Sequence, residues 1–186
     1  MEPIGTVLEF ADADAWDAWL EQHHDAETQA WLRIRRKNAD IRLLEFGDAL
    51  ECALCHGWID GMGRSLDDVS HLQRFTPRRP RSPWSQVNVA KVEALIASGR
   101  LRPGGMAEVE AARADGRWDA AYPSQSQATV PPDLAAALTA TPGAAEAFDR
   151  LDRSARYALM LPVFKARTEA GRARVVQRVV ARLAGA

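Results

Sequence analysis

The spacing of apolar residues changes period several times along this chain, and each change marks an element. Trp16, Trp19 and Leu20 recur at i, i+3 and i+4. That spacing predicts a helix with one buried stripe, running to about His23. Asp12 or Asp14 caps it, because a carboxylate accepts a hydrogen bond from a first-turn N–H that has no intrahelical acceptor. In AWLRIRRK (30–37) the period falls to two. Trp31, Arg33 and Arg35 face one way and Leu32 and Ile34 the other, which predicts a strand. VLEF (7–10) is a shorter strand candidate, and NADIRLL (38–44) reads as loop. The next helix starts at Asp48 and ends near Gly57, with Leu50, Ala53, Leu54 and Gly57 on its apolar face. Cys52 and Cys55 fall off that face. WIDG (58–61) and HLQRF (71–75) read as strands around a Gly-rich turn. Pro77, Pro80 and Pro83 then break regular structure. Ser85 suits the N-cap of a helix to about Ser98, with Val89, Val92, Leu95 and Ile96 apolar, and another helix follows over roughly 104–115.

The pattern changes again at PSQSQATVPP (123–132), a polar segment with proline at both ends that reads as a linker. Helices are predicted near 132–140, 143–150, 153–166 and 169–184, with Asp152 and Thr168 as N-caps. In the last, Val176, Val179, Val180 and Leu183 share one face, while Arg174, Arg178 and Arg182 recur every four residues on another. All 6 tryptophans precede the linker. The expected fold class is therefore α+β. A small, mostly antiparallel sheet with helices occupies 1–122, a linker 123–132, and a C-terminal helical unit 133–186.

Charge alters this picture in one respect. The 186 residues carry a formal net charge of −1, which argues against a nucleic-acid binder by bulk charge. Yet residues 1–132 hold 20 acids and 15 bases, and residues 133–186 hold 5 acids and 9 bases. The Arg174, Arg178 and Arg182 face of this basic end reads first as a solvated helix surface, and in the sharper reading as a contact for an acidic protein partner or an anionic lipid surface. The N-terminus has no basic segment followed by an apolar one, and no apolar run approaches the roughly 20 residues of a membrane span. The expectation is a cytoplasmic protein without a transmembrane segment. Two cysteines close in sequence agree with a reducing compartment.

Candidate chemistry begins with CALCH (52–56), which matches the haem c attachment pattern C-x-x-C-H. Export, which haem attachment requires, has no signal here. A zinc reading lacks a second C-x-x-C. A thioredoxin-like reading needs the cysteines at a helix start, whereas these fall near a helix end. The expectation is no cofactor and no metal site. RFTPRRPRSPWSQVNVAK (74–91) is more informative. It holds Arg74, Arg78, Arg79, Arg81 and Lys91 with no acid among them, and Ser85 then opens a helix whose N–H groups suit an anion. Arg is fitted to bidentate contact with phosphate or carboxylate, and Trp84 to stacking on a ring. The plainer reading is a proline-stiffened loop whose arginines pair with nearby acids. Asp60 in WIDG reads as a turn-stabilising residue, since no nucleophile–base pair accompanies it.

Several stretches taken in order carry a family resemblance. They are LECALCHGWIDG (50–61), LQRFTPRRPRSPWSQVN (72–88), GRLRPGGMAEVEAARADGRWDAAY (99–122) and LPVFKARTEAGRARV (161–175). Together they resemble the YdeI/OmpD-associated, or bacteriocin-protection, proteins. Those typically show ALCxGWIDG, FxPRRxxSxWSxxN, a Gly-Met/Leu helix and DGRW. The resemblance implies stress protection linked to a porin or to bacteriocins, and no catalytic mechanism. The functional expectation is a soluble binding or stress-protection protein with an anion pocket between the WIDG strand and the PRRPRSPWS loop. Trp58, Asp60, Arg74, Arg78, Trp84, Ser85, Asn88 and Lys91 are expected to line it. Two alternatives stand beside it. One is an enzyme acting on a small anionic substrate in the same pocket, with no catalytic residue assigned. The other is nucleic-acid binding through the Arg-rich loop and the basic tail.

Overall fold

The computed structural model describes residues 5–185. The chain divides into two compact units. The first runs through Ser82 and resumes over Asn88–Asp119; the second comprises Pro83–Val87 and the chain from Ala120.

The first unit is built on a four-stranded sheet. Its strands are β1 (Val7–Leu8), β2 (Ala30–Arg35), β3 (Trp58–Ser65) and β4 (Ser70–Pro77), in the order β1-β2-β4-β3. β1 pairs parallel with β2, and the other two pairings are antiparallel. The fold is thus α+β with a mostly antiparallel sheet. The period-two burial of β2 holds from Leu32 onward: Leu32 and Ile34 are buried, and Arg33 and Arg35 on the opposite face are partly exposed. Trp31, expected on the arginine face, is buried, with the Arg64 guanidinium 5.0 Å over its ring. Arg33 there reaches Glu9 at 3.2 Å and Asp67 at 2.8 Å.

Helix α1 (Ala13–His23) is capped by Asp12, whose carboxylate accepts from the Ala15 N–H. Its stripe delivers Trp16 and Leu20, both fully buried, to the core. Trp16 stacks on Trp19 with centroids 5.1 Å apart and tilts against Phe75 of β4 at 5.9 Å. Its indole N–H donates to the Ala49 carbonyl of α2 (Phe46–Cys55) at 3.1 Å. α2 begins two residues earlier than Asp48, at Phe46, with Glu45 as its N-cap. Cys52 and Cys55, which lie off the apolar stripe, are nevertheless each only 3% exposed. The reason is tertiary. α1, β3 and α4 (Pro103–Ala114) all pack on α2, so burial extends round nearly its whole circumference from Ala49 to Cys55. α3 (Gln86–Ala97) buries Val92 and Leu95.

In the second unit α5 (Pro132–Ala140), α6 (Ala144–Asp149), α7 (Arg153–Lys165) and α8 (Glu169–Ala184) fall within two residues of the predicted helices. Asp152 and Thr168 cap α7 and α8. Val176, Val179, Val180 and Leu183 of α8 join Leu134, Leu138, Phe148, Met160 and Val163 in one apolar core. Arg172 grips Asp133 with two hydrogen bonds of 2.6 and 2.8 Å and donates to the Val163 carbonyl at 3.0 Å, tying three helices together. Arg174, Arg178 and Arg182 are exposed. Among the described residues no helix is long and apolar enough to cross a membrane.

Candidate functional site

The alternation of β4 puts Arg74 and Thr76 on one face of the sheet. β4 ends at Pro77, and the following residue turns inward: Arg78 is only 6% exposed, and its backbone N–H donates to the Gly57 carbonyl at 3.0 Å. Arg79 is exposed. The loop beyond is held in an unusual conformation. Among the described residues Arg81 is the only non-glycine with positive φ, at 65°. A left-handed residue with a side chain costs on the order of 1 kcal/mol and persists where its surroundings impose it. Two bonds do so here. The Ser82 N–H donates to the Arg79 carbonyl at 3.0 Å, and the buried Arg117 guanidinium donates to the Ser82 carbonyl at 3.0 Å. Arg117 is itself held by Asp115 at 2.8 Å.

Across from this loop, β3 carries an irregularity in its pairing between Asp60 and Gly63. The Gln73 side-chain amide donates to the Gly61 carbonyl at 3.0 Å, so the disrupted strand keeps its hydrogen bonding. Ile59, Gly61, Arg74, Thr76, Pro77, Arg79 and Ser82 together line a cleft of about 240 Å³.

Of the residues expected from sequence, Arg74 lines this cleft. Asp60 lies on β3 beside it, in register with Phe75. Trp58 is buried, its indole N–H donating to the His24 carbonyl at 3.2 Å. Lys91 instead forms an ion pair with Glu51 of α2 at 2.8 Å, and Asn88 is partly buried in the first turns of α3. Trp84 and Ser85 belong to the second unit, where the Trp84 carbonyl accepts from the Tyr122 N–H at 2.9 Å. The cleft also recruits Thr76, Arg79 and Ser82, which sequence reasoning left out of the pocket. Thr76 was readable, because it stands two residues from Arg74 on a strand. Exchange of Arg78 for Arg79 was not, because it depends on where the strand stops.

The CALCH segment lines a different cleft, of about 270 Å³, with Ala13, Asp14, Asp17, Gly99, Arg100 and Arg102 joining Cys52 and Cys55. Both cysteines are free thiols. Burial pushes the Cys52 thiol up to about 12 and raises Cys55 as well, so neither is an activated nucleophile. His56 is buried, and its Nε2–H donates to Asp17 at 2.9 Å, while Arg102 donates to the other Asp17 oxygen at 3.2 Å. Its Nδ1 has no hydrogen-bond partner among the described residues. Burial raises the Asp17 carboxyl, but the bonds from His56 and Arg102 outweigh this and hold it below the usual carboxylate value. The segment is a structural joint: it ends α2 and locks that end to α1 and to the start of α4.

Two family models match the chain. One is a domain of unknown function (DUF8412), over residues 8–108. The other is the Bacteriocin-protection, YdeI or OmpD-Associated family, over residues 127–185. The stretches at 50–61 and 72–88 lie under the first model and LPVFKARTEAGRARV under the second. No curated protein and no solved structure matches. The first match, over more than half of the chain, places this protein in the DUF8412 family, with a C-terminal region similar to the Bacteriocin-protection, YdeI or OmpD-Associated family.

Proposed function

We propose that this chain is a binding protein for a small anion, a carboxylate or phosphate group, held in the cleft of Arg74, Thr76, Arg79 and Ser82. The observation that carries this reading is the meeting of two arginines and two hydroxyl side chains on one concave surface. Arginine offers paired N–H donors to a planar or tetrahedral oxyanion, and Thr and Ser hydroxyls supply neutral donors beside them. The strained turn at Arg81, braced by Arg117, supports it further, since such strain is kept where a precise loop shape is used. Bacteriocin protection, for which the C-terminal family is named, would on this reading follow from sequestering or sensing an anionic molecule.

Titration calorimetry with inorganic phosphate, acetate and a short peptide bearing a free C-terminal carboxylate tests the proposal. Binding of at least one, weakened about 10-fold or more by Arg79→Ala and less by Thr76→Val, is the expected outcome. Arg79 is exposed, so the variant retains its fold. Equal affinity of Arg79→Ala and the unaltered protein for every bound anion would sink the assignment.

A further inference from the structure

A second basic cleft lies at the other end of β2. Arg35, Arg36 and Lys37 close that strand, and the backbone of Arg35 bridges to Glu45, immediately before α2. Arg35, Arg36, Lys37, Glu45, Phe46, Gly47 and His71 line a cleft of about 430 Å³, within the range of small-molecule pockets.

Its charge is not balanced internally. Arg35 is taken up by Glu45 and by the Ala39 carbonyl. Arg36 is held differently, by neutral acceptors: its Nε donates to the Asp67 carbonyl at 3.1 Å and its Nη2 to Ser65 Oγ at 3.0 Å. Those bonds fix the guanidinium without cancelling its charge. Lys37 is exposed and makes no ion pair among the described residues. Burial, and after it the Arg36 charge, lowers the pKa of His71 on the same cleft.

The α2 N-terminus adds to this field. Glu45 stands at the N-cap but makes no capping bond, its carboxylate being turned to Arg35. The first-turn N–H groups therefore lack a side-chain acceptor, and Gly47 leaves them uncovered: a Cβ there meets nothing within 4 Å. Beside these donors stands an apolar feature of another kind. The Phe46 side chain is one of the few large hydrophobic groups left in water, at 37% exposure. A cleft lined both by cations and by an exposed aromatic ring matches a ligand that carries a phosphate and a flat ring.

We infer that this cleft binds a nucleoside phosphate, with the phosphate between Arg36, Lys37 and the start of α2 and the base against Phe46. The site is separate from the Arg74–Arg79 cleft, and its test uses different variants. Adenosine monophosphate, inorganic phosphate, adenosine and a short single-stranded oligonucleotide are titrated into the full chain by calorimetry. Adenosine monophosphate binds, with phosphate and adenosine each at least about 10-fold weaker. Lys37→Ala weakens it about 10-fold, and Phe46→Ala weakens it while leaving phosphate affinity unchanged. Arg79→Ala has no effect on it. Both altered side chains are exposed, and an unchanged thermal midpoint confirms that each variant is folded. If adenosine monophosphate fails to bind at millimolar concentration, or binds equally to both variants, the inference is overturned. An oligonucleotide that binds more tightly per site than the free nucleotide, with the same dependence on Lys37 and Phe46, retains the nucleoside phosphate as the recognised unit and makes a strand its source.

Discussion

Replacing Gly105 by alanine measures how closely α4 is seated on α2. A Cβ at this buried position would lie 2.5 Å from the Cys55 carbonyl oxygen, 2.6 Å from that of Leu54 and 2.8 Å from Leu101 Cδ1. The leucine tip can rotate away; the two carbonyls are backbone and cannot. Carbon and carbonyl oxygen come to rest at about 3.3 Å, so α4 must retreat by roughly 0.8 Å. The Arg102 N–H···O=C bond to Cys55, already 3.2 Å, then breaks at a cost of about 1 kcal/mol. A gap of that size also forfeits a quarter to a half of the dispersion energy of the atoms facing it, and overpacked sites lose about 1–3 kcal/mol in total. The better helix propensity of alanine returns about 1 kcal/mol. The expected net loss is about 2 kcal/mol. Urea denaturation followed by tryptophan fluorescence is the assay, because five of the six tryptophans lie in the first unit. A loss below about 0.5 kcal/mol would refute the claim that these helices touch through their backbones.

Other positions give independent tests. Gly47 is helical and open, so Gly47→Ala should stabilise the chain by about 0.5 kcal/mol in the same urea assay. Asp17→Asn should cost about 1 kcal/mol near pH 7, since it weakens the holds on His56 and Arg102. The depressed Asp17 pKa means that its contribution is present above 3.8 and lost as pH falls through the lower folded value. The gap between variant and parent measured by urea denaturation should therefore close as pH is lowered towards 3. Asp133→Asn should lower the stability of the second unit by about 1 kcal/mol, read by circular dichroism, because Arg172 loses a two-pronged partner that is partly exposed. Alkylation of Cys52 and Cys55 at pH 8 should run at least about 100-fold slower in the native protein than in urea, given their burial and raised pKa values.

Helix and strand positions were legible because local periodicity and caps act over a few residues. Asp12, Asp152 and Thr168 cap the helices that their spacing implied, and the valine face of α8 is buried as written. The acid-free arginine run was equally visible, and two of its residues, Arg74 and Arg79, line a cleft. What periodicity could not decide was which arginines reach solvent. Arg78 continues the i, i+2 alternation of Arg74 and Thr76, yet it is buried because β4 stops at Pro77 and the chain turns. The basic cleft beside Phe46 was only half legible, for Arg35, Arg36 and Lys37 are consecutive, but nothing in the sequence joins them to Phe46 and His71.

The sequence by itself determined the element order, the α+β class, the helical character of the C-terminal region and the concentration of tryptophan in the sheet unit. Each of these follows from short-range spacing and from how much apolar surface a segment must hide. Tertiary structure alone decided the meaning of CALCH. The single apolar stripe leaves Cys52 and Cys55 off its face, but α1, β3 and α4 enclose α2 from several sides, and His56 finds Asp17 from 39 positions away in the chain. Those contacts arise from the packing of whole elements, a long-range consequence that a five-residue pattern does not contain.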